Sequence, residues 1–427
     1  MLLRTGREEP GRGPRPAPAP TPASAPSKPR LPWLTLVGLA NAPFAIWFFL
    51  IEQSSFLRGE MSRGQIAGRD FVNYWSGAKL LLQGRAGEIF DQDAYMRVLQ
   101  GWFGLGLATH SFSYPPSILP FIVWLGALPY GLALDVWSLV GVAALFAAAW
   151  PYSRRPLTAL LILVSPAVLI CLDVGQNGLI TSALLIGGLR LVDKRPWLGG
   201  ALIGLATFKP QLGLLIPLAL IAAWRWKAIG GAAASAVALA LLGALLAGPQ
   251  GWTLYLTETL AYQRVLFEQS VGAWSLMTPS PLASSLYLGL PHALGVAIQV
   301  VASLACAAAV IVRFRRIGRE GRPIRGADIL LLTAAAFMAA PYSFNYDMPG
   351  VVLALILTAR ERTDLETSGP WRWGSALLWA APLWMTLLGI AALLANARWA
   401  AGPALVGGGL ILVWLALAEP KPAAEPA

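Results

Sequence analysis

Residues 228–247 read AIGGAAASAVALALLGALLA, a run without a single charge. At about 1.5 Å of rise per helical residue it spans roughly 30 Å, the hydrocarbon thickness of a bilayer. One such run could be a signal sequence, but repeated runs cannot. A second uncharged run, GPALVGGGLILVWLALA, covers 402–418. Further apolar segments lie near 33–51, 131–150, 157–172, 178–192, 197–208, 211–224, 291–312, 327–341, 346–359 and 373–395. Together they predict an all-α polytopic membrane protein of about 12 transmembrane helices. Several segments are short and interrupted by Gly or Pro. Such breaks are tolerated where non-helical backbone lines a cavity inside protein.

Composition agrees. Hydrophobic residues make up 56% of the 427 and charged residues 12%, against about 25% charged in soluble domains. This excludes an ordinary soluble globular protein. The net charge of +11 could suggest nucleic acid, but in a membrane protein basic residues mark cytoplasmic loops. No nucleic-acid partner is expected. Cys171 and Cys306 both sit in apolar runs without metal-site spacing, so they read as buried, inert thiols. No phosphate-binding glycine loop, zinc motif or nucleophile elbow is present.

Residues 1–30, rich in Pro, Ala and Arg, predict a disordered cytoplasmic tail. Residues 31–418 predict a single multispan domain, followed by a short cytoplasmic tail at 419–427. Within the domain, 52–130 predicts a long external loop with juxtamembrane helices, and 248–290 a second external loop. Trp75, Ala78 and Leu82 recur at helical spacing. So do Ala94, Tyr95, Val98, Leu99 and Trp102, after Asp91 as N-cap. Both look like amphipathic helices at the membrane surface. The stretch 117–128 is too short to span and is expected to lie along the outer surface. With the N-terminus inside, 23 of the 32 Lys and Arg residues become cytoplasmic. If 117–128 crossed, the later basic loops would invert against the positive-inside rule.

This topology sorts the polar residues. Arg69, Asp70, Asn73, Tyr74, His110, Tyr114, Asp173, Gln176, Asn177, Lys209, Gln211, Tyr262, Arg264, Tyr342, Asn345 and Asp347 fall on the external face. Asp70, in RDFVNYW, is a candidate general base toward a hydroxyl; the competing reading is a helix N-cap. Lys209, in ATFKPQ, is a lone cation ending an apolar segment, a costly position that tends to be functional. It can neutralise a phosphate as a point charge or merely snorkel. Gln176 and Asn177, in DVGQNG, can hydrogen-bond a ligand or simply form a turn. Asp347, in YSFNYD, competes with Asp70 for the base role or caps the next helix. His110 is a candidate for phosphate pairing or proton relay, although a lone loop histidine is more often a bystander. His292 follows Pro291 at a helix start and reads as structural.

Six motifs occur in order: RDFVNYWSGAKLLLQG (69–84), IFDQDAY (89–95), SYPPSILPFIVWLGALP (113–129), GQNG (175–178), GLATFKPQLGLLIPLAL (204–220) and PYSFNYDMPG (341–350). In this order, on a multispan chain, they resemble glycosyltransferase family 87, the polyprenyl-phosphate-mannose-dependent mannosyltransferases and their relatives. The resemblance covers about residues 33–415. It implies the C-type glycosyltransferase architecture, with a catalytic aspartate in a long first external loop and a lipid-phosphate sugar donor.

Carried over, Asp70 matches the first-loop aspartate and becomes the base. Lys209, Gln176, Asn177, Tyr74 and Arg264 form the expected donor-side set, with Asp347, His110, Tyr114 and Asn345 as additional candidates. No cofactor and no metal is expected. The implied activity moves a hexose, typically mannose, from a polyprenyl-phosphate donor to a lipid or glycan acceptor, by one inverting displacement. The implied setting is the outer face of a bacterial cytoplasmic membrane, with membrane lipids as surroundings. A transporter or flippase of lipid-linked sugars is the alternative; it predicts mid-membrane charges and internal repeats.

Overall fold

The structure, a computed structural model, describes residues 33–57, 66–269 and 273–418. The tails expected at 1–30 and 419–427 lie outside the described residues. Helices account for all regular structure among the described residues. Each of the 12 expected segments holds helix: Trp33–Leu57, Tyr130–Ala149, Pro156–Leu163 with Pro166–Val174, Gly178–Leu191, Pro196–Leu205, Ile216–Ala222, Trp226–Leu254, His292–Glu320, Gly326–Ala339, Pro349–Glu361, Gly369–Leu394 and Gly402–Ala418.

Length tempers the count. Five helices are long and apolar enough to cross a bilayer, or six if the pair Pro156–Leu163 and Pro166–Val174, bent by 52°, is one span. The expectation of 12 independent crossings is therefore not met by helix length. The reason is proline. Pro156, Pro166, Pro196 and Pro349 each open a helix at its first turn, where the missing N–H costs nothing. The same residues cannot continue a preceding helix, so they divide apolar sequence into pieces shorter than about 20 residues. The expected second loop, 248–290, is itself largely helical. The helix from Trp226 turns at Gly248 (φ 72°), continues through a π-helical turn at Tyr255–Thr259, and runs on as Leu260–Gln269.

Both first-loop stretches are helical, but Leu82, expected beside Trp75 and Ala78 on the apolar face, is 54% exposed, and the first helix is buried along most of its length instead of lying as an amphipathic surface helix. Helix Phe71–Leu82 buries Phe71, Tyr74, Trp75, Ala78 and Leu80, while helix Gln92–Phe103 buries Tyr95 and Leu99. Asp91 caps the latter, its Oδ1 accepting from the Ala94 N–H at 2.9 Å. The stretch 116–127 is three short helical turns. Its Ile118, Leu119, Ile122 and Leu125 join those helices in one apolar core.

Three pairs of short helices break at the same end. One break is 175–177, another surrounds Lys209, and the third is 340–348. The opposite ends of these helices carry ion pairs. Arg225 Nε meets Asp193 at 2.7 Å, while Arg313 and Arg322 meet Asp328 at 2.8 and 2.7 Å. Basic loops and the breaks thus occupy opposite ends of the bundle.

Candidate active site

Each break has a local cause. Helix Pro166–Val174 stops at Gly175, which takes the left-handed conformation (φ 66°) that glycine adopts without penalty. Lys209 precedes Pro210, and a pre-proline residue is pushed out of the helical region; its φ and ψ are −133° and 66°. The lysine side chain therefore leaves a helix end instead of lying along a helix face. Asp347 ends a 3-10 turn, Asn345–Asp347, just ahead of helix Pro349–Glu361.

The three breaks meet through one ammonium group. Lys209 Nζ donates to Asp347 Oδ1 at 2.5 Å, Asn177 Oδ1 at 3.0 Å and Gln176 Oε1 at 3.5 Å. Those partners match the three N–H bonds an ammonium has. All four side chains are buried: Lys209 is 4% exposed, Asp347 1%, Gln176 8% and Asn177 0%. The Tyr346 ring lies 5.2 Å from Lys209 Nζ, adding a cation–π contact. Burying a charge this deeply requires a paired and hydrogen-bonded partner, and Asp347 is that partner.

Gln176 links this centre to the first-loop region. Its Nε2 donates to Asp70 Oδ2 at 3.0 Å. Its Oε1 accepts from Tyr74 at 2.6 Å and Tyr114 at 2.9 Å, and the two tyrosine hydroxyls are 2.6 Å apart. Burial first, then mutual charge, pushes the Tyr74 hydroxyl well above a tyrosine's ordinary value, and burial likewise raises Tyr114. Both remain protonated donors near neutral pH.

Asp70 occupies the N-cap position of helix Phe71–Leu82, yet its side chain makes no capping hydrogen bond. Its backbone N–H donates to Val174 O at 3.0 Å, which ties it to the end of helix Pro166–Val174. The residue is half-buried. Among the described residues, no hydrogen bond engages its Oδ1.

The family model for glycosyltransferase family 87 matches residues 112–341, more than half of the chain. The chain belongs to glycosyltransferase family 87. No curated protein and no solved structure matches it. For this family 87 glycosyltransferase the matched stretch contains Tyr114, Gln176, Asn177 and Lys209. Asp70 and Asp347 lie on either side of it, and folding brings both to the same centre.

The remaining expected site residues stand apart from this cluster. His110 is buried, with Nε2 2.9 Å from Arg69 O and Nδ1 2.7 Å from Ala108 O. It clamps the 104–115 stretch to the residue before Asp70. Asn345 spends its amide on Pro382 O at 3.1 Å and Thr386 Oγ1 at 2.7 Å, fastening its turn to helix Gly369–Leu394. Arg264 is exposed on helix Leu260–Gln269. Asp173 accepts from Gln53 at 2.7 Å, joining helix Trp33–Leu57 to helix Pro166–Val174. Tyr346 was not among the sequence candidates; its only sequence signal is its place beside Asp347 in YSFNYD.

The second glycine of GQNG has a packing role. A Cβ on Gly178 would collide with the Tyr346 carbonyl oxygen. Gly178→Ala should therefore displace the 343–347 turn and the Asp347 it carries. The expected cost is about 1–3 kcal/mol, typical of overpacking, with a fall in transfer activity. Thermal unfolding in detergent and a membrane transfer assay measure both.

Proposed function

We propose that this family 87 chain transfers a hexose, mannose first among candidates, from a polyprenyl-phosphate donor to a lipid or glycan acceptor. The observation that carries this reading is the pairing of Asp70 and Lys209 across a single amide. A carboxylate whose Oδ1 is unengaged among the described residues and a buried cation lie on opposite sides of Gln176. Displacement at an anomeric carbon needs such a pair: a base for the incoming hydroxyl and positive charge for the leaving phosphate.

In the proposed step the acceptor hydroxyl oxygen attacks the anomeric carbon. The bond from that carbon to the phosphate oxygen breaks, and its electron pair stays on the phosphate. The hydroxyl proton passes to Asp70. One displacement inverts the anomeric configuration. Of the three partners of Lys209, Gln176 at 3.5 Å is the most distant, and it is the one a phosphate oxygen would replace. The buried Nδ2 of Asn177 has no hydrogen-bond partner among the described residues. It supplies a further donor beside the same ammonium. Asp347 is the weaker base candidate, because its Oδ1 is held by Lys209 at 2.5 Å and the side chain is fully buried.

We also read the 12 helical segments as membrane-crossing, with the short ones ending early because the polar centre is recessed below the surface. Basic loops gather at the opposite end of the bundle, as cytoplasmic loops do. That bias supports cytoplasmic termini and an external site in a bacterial inner membrane.

The test is incubation of membranes containing the protein with labelled polyprenyl-phosphate mannose, followed by analysis of labelled lipids and glycans. Label should leave the donor and appear in a new product only when the wild-type chain is present. Labelled product of equal amount without the chain would sink the reading.

A further inference from the structure

We propose that Gln176 is the positioning residue for Asp70: its side-chain amide holds one carboxylate oxygen and leaves the other for the acceptor hydroxyl. The inference rests on Asp70 being the base, and adds a role for Gln176 other than donor binding.

The chemistry of the neighbours dictates how the amide must point. Four donors lie within 3.5 Å of Gln176 Oε1: the hydroxyls of Tyr74 and Tyr114, Lys209 Nζ and the Asn177 N–H. Two of these, the ammonium and the backbone N–H, can only donate. Asp70 Oδ2 on the other side of the amide is an acceptor-only carboxylate oxygen. Rotating the amide by 180° would set its NH₂ against an ammonium and a backbone N–H, and its oxygen against a carboxylate. The contacts with the ammonium, the backbone N–H and the carboxylate would become repulsive, and only the two hydroxyls could turn to accept. The NH₂ group therefore faces Asp70 by necessity. Gln176 itself is held through its backbone, since its N–H donates to Cys171 O at 3.0 Å.

The consequence is geometric. Oδ2 is held by the amide, which restrains rotation of the carboxylate and biases the direction of Oδ1. Other charged or titratable groups face Asp70 as well. Tyr74 and Tyr130 come from the first-loop side, Tyr342 and Tyr346 from the 340–348 break. Tyr114 stands with them, and the carboxylates Asp173 and Asp347 act from two other elements. Arg69 acts on Asp173 beside it, while His110 touches the Arg69 carbonyl. Lys209 stands across the amide. Of these, Tyr74, Tyr114 and Lys209 also donate to Gln176 Oε1, a contact that Gln176→Glu keeps and Gln176→Met removes.

The experiment compares pH–rate profiles of kcat/KM for the wild type, Gln176→Glu and Gln176→Met in a membrane transfer assay. Gln176→Glu keeps the shape and still accepts from all four donors, but sets a carboxylate against Asp70. Like charge makes Asp70 harder to ionise, so the acidic limb should move to higher pH by about one unit or more. Activity should recover as pH rises through the new limb. Gln176→Met removes the donated hydrogen bond without adding charge and should move the limb in the same direction by less. Should Gln176→Glu fail to extract as folded protein, the Gln176→Met limb alone decides. Uniformly lowered activity with an unmoved limb, or an unchanged profile, overturns the proposal. Failure of the underlying reading is separable: Asp70→Asn would then retain transfer, whereas an inactive Asp70→Asn with an unmoved limb counts against Gln176 alone.

Discussion

Replacing Asp70 by asparagine should lower sugar transfer by about 10²- to 10⁴-fold, the range that general base catalysis contributes. The substitution is nearly isosteric, and the asparagine oxygen can still accept from Gln176 Nε2, which donates to Asp70 at 3.0 Å. The Asp70 backbone bond to Val174 O is untouched, and no side-chain cap is lost, because Asp70 makes none. Thermal unfolding in detergent should therefore match the wild type while turnover collapses. The measurement is transfer from a labelled polyprenyl-phosphate sugar at saturating acceptor. Turnover within tenfold of the wild type would remove Asp70 from the base role.

The second large effect concerns the buried pair. Lys209→Met leaves the Asp347 carboxylate, whose side chain is 0% exposed, with a long 3.4 Å contact from the Phe344 N–H as its remaining hydrogen bond among the described residues. Removing one partner of a buried pair typically destabilises a protein by about 3–5 kcal/mol, because the other charge is left uncompensated. A large drop in thermal stability is expected. Combining Lys209→Met with Asp347→Leu removes both charges and should restore much of that stability, since a buried ion pair and an apolar replacement are often nearly equivalent. Transfer should nevertheless stay abolished, because the double variant lacks the cation that faces Gln176 and Asn177. Equal stability of the single and double variants would show that an uncompensated Asp347 charge is not the cause of the loss.

These two predictions separate kinds of residue that look alike in sequence. Asp70 and Asp347 are both acids beside aromatic residues, and periodicity does not rank them. Folding does. Asp347 is enclosed and committed to an ammonium, while Asp70 is half-buried with one oxygen engaged. The same holds for His110 and Asn345. Both are polar residues in external loops by sequence, yet their hydrogen bonds go to backbone carbonyls and neighbouring helices. Nothing in a single chain records which partner a polar loop residue will find.

The helices were legible because apolar runs and 3.6-residue periodicity are local properties. Uncharged stretches such as 228–247 and 402–418 determine helix and membrane affinity wherever they sit, and Pro156, Pro166, Pro196 and Pro349 mark where helices start. The break at Lys209 is equally local, since Pro210 dictates it. The number of helices long enough to cross was less legible, because a broken apolar run looks continuous in hydropathy. The meeting of residues 70, 176, 209 and 347 was decided by tertiary structure alone. Ion pairing and hydrogen bonding act between groups close in space, and here the partners of Lys209 include one 138 positions away in the chain.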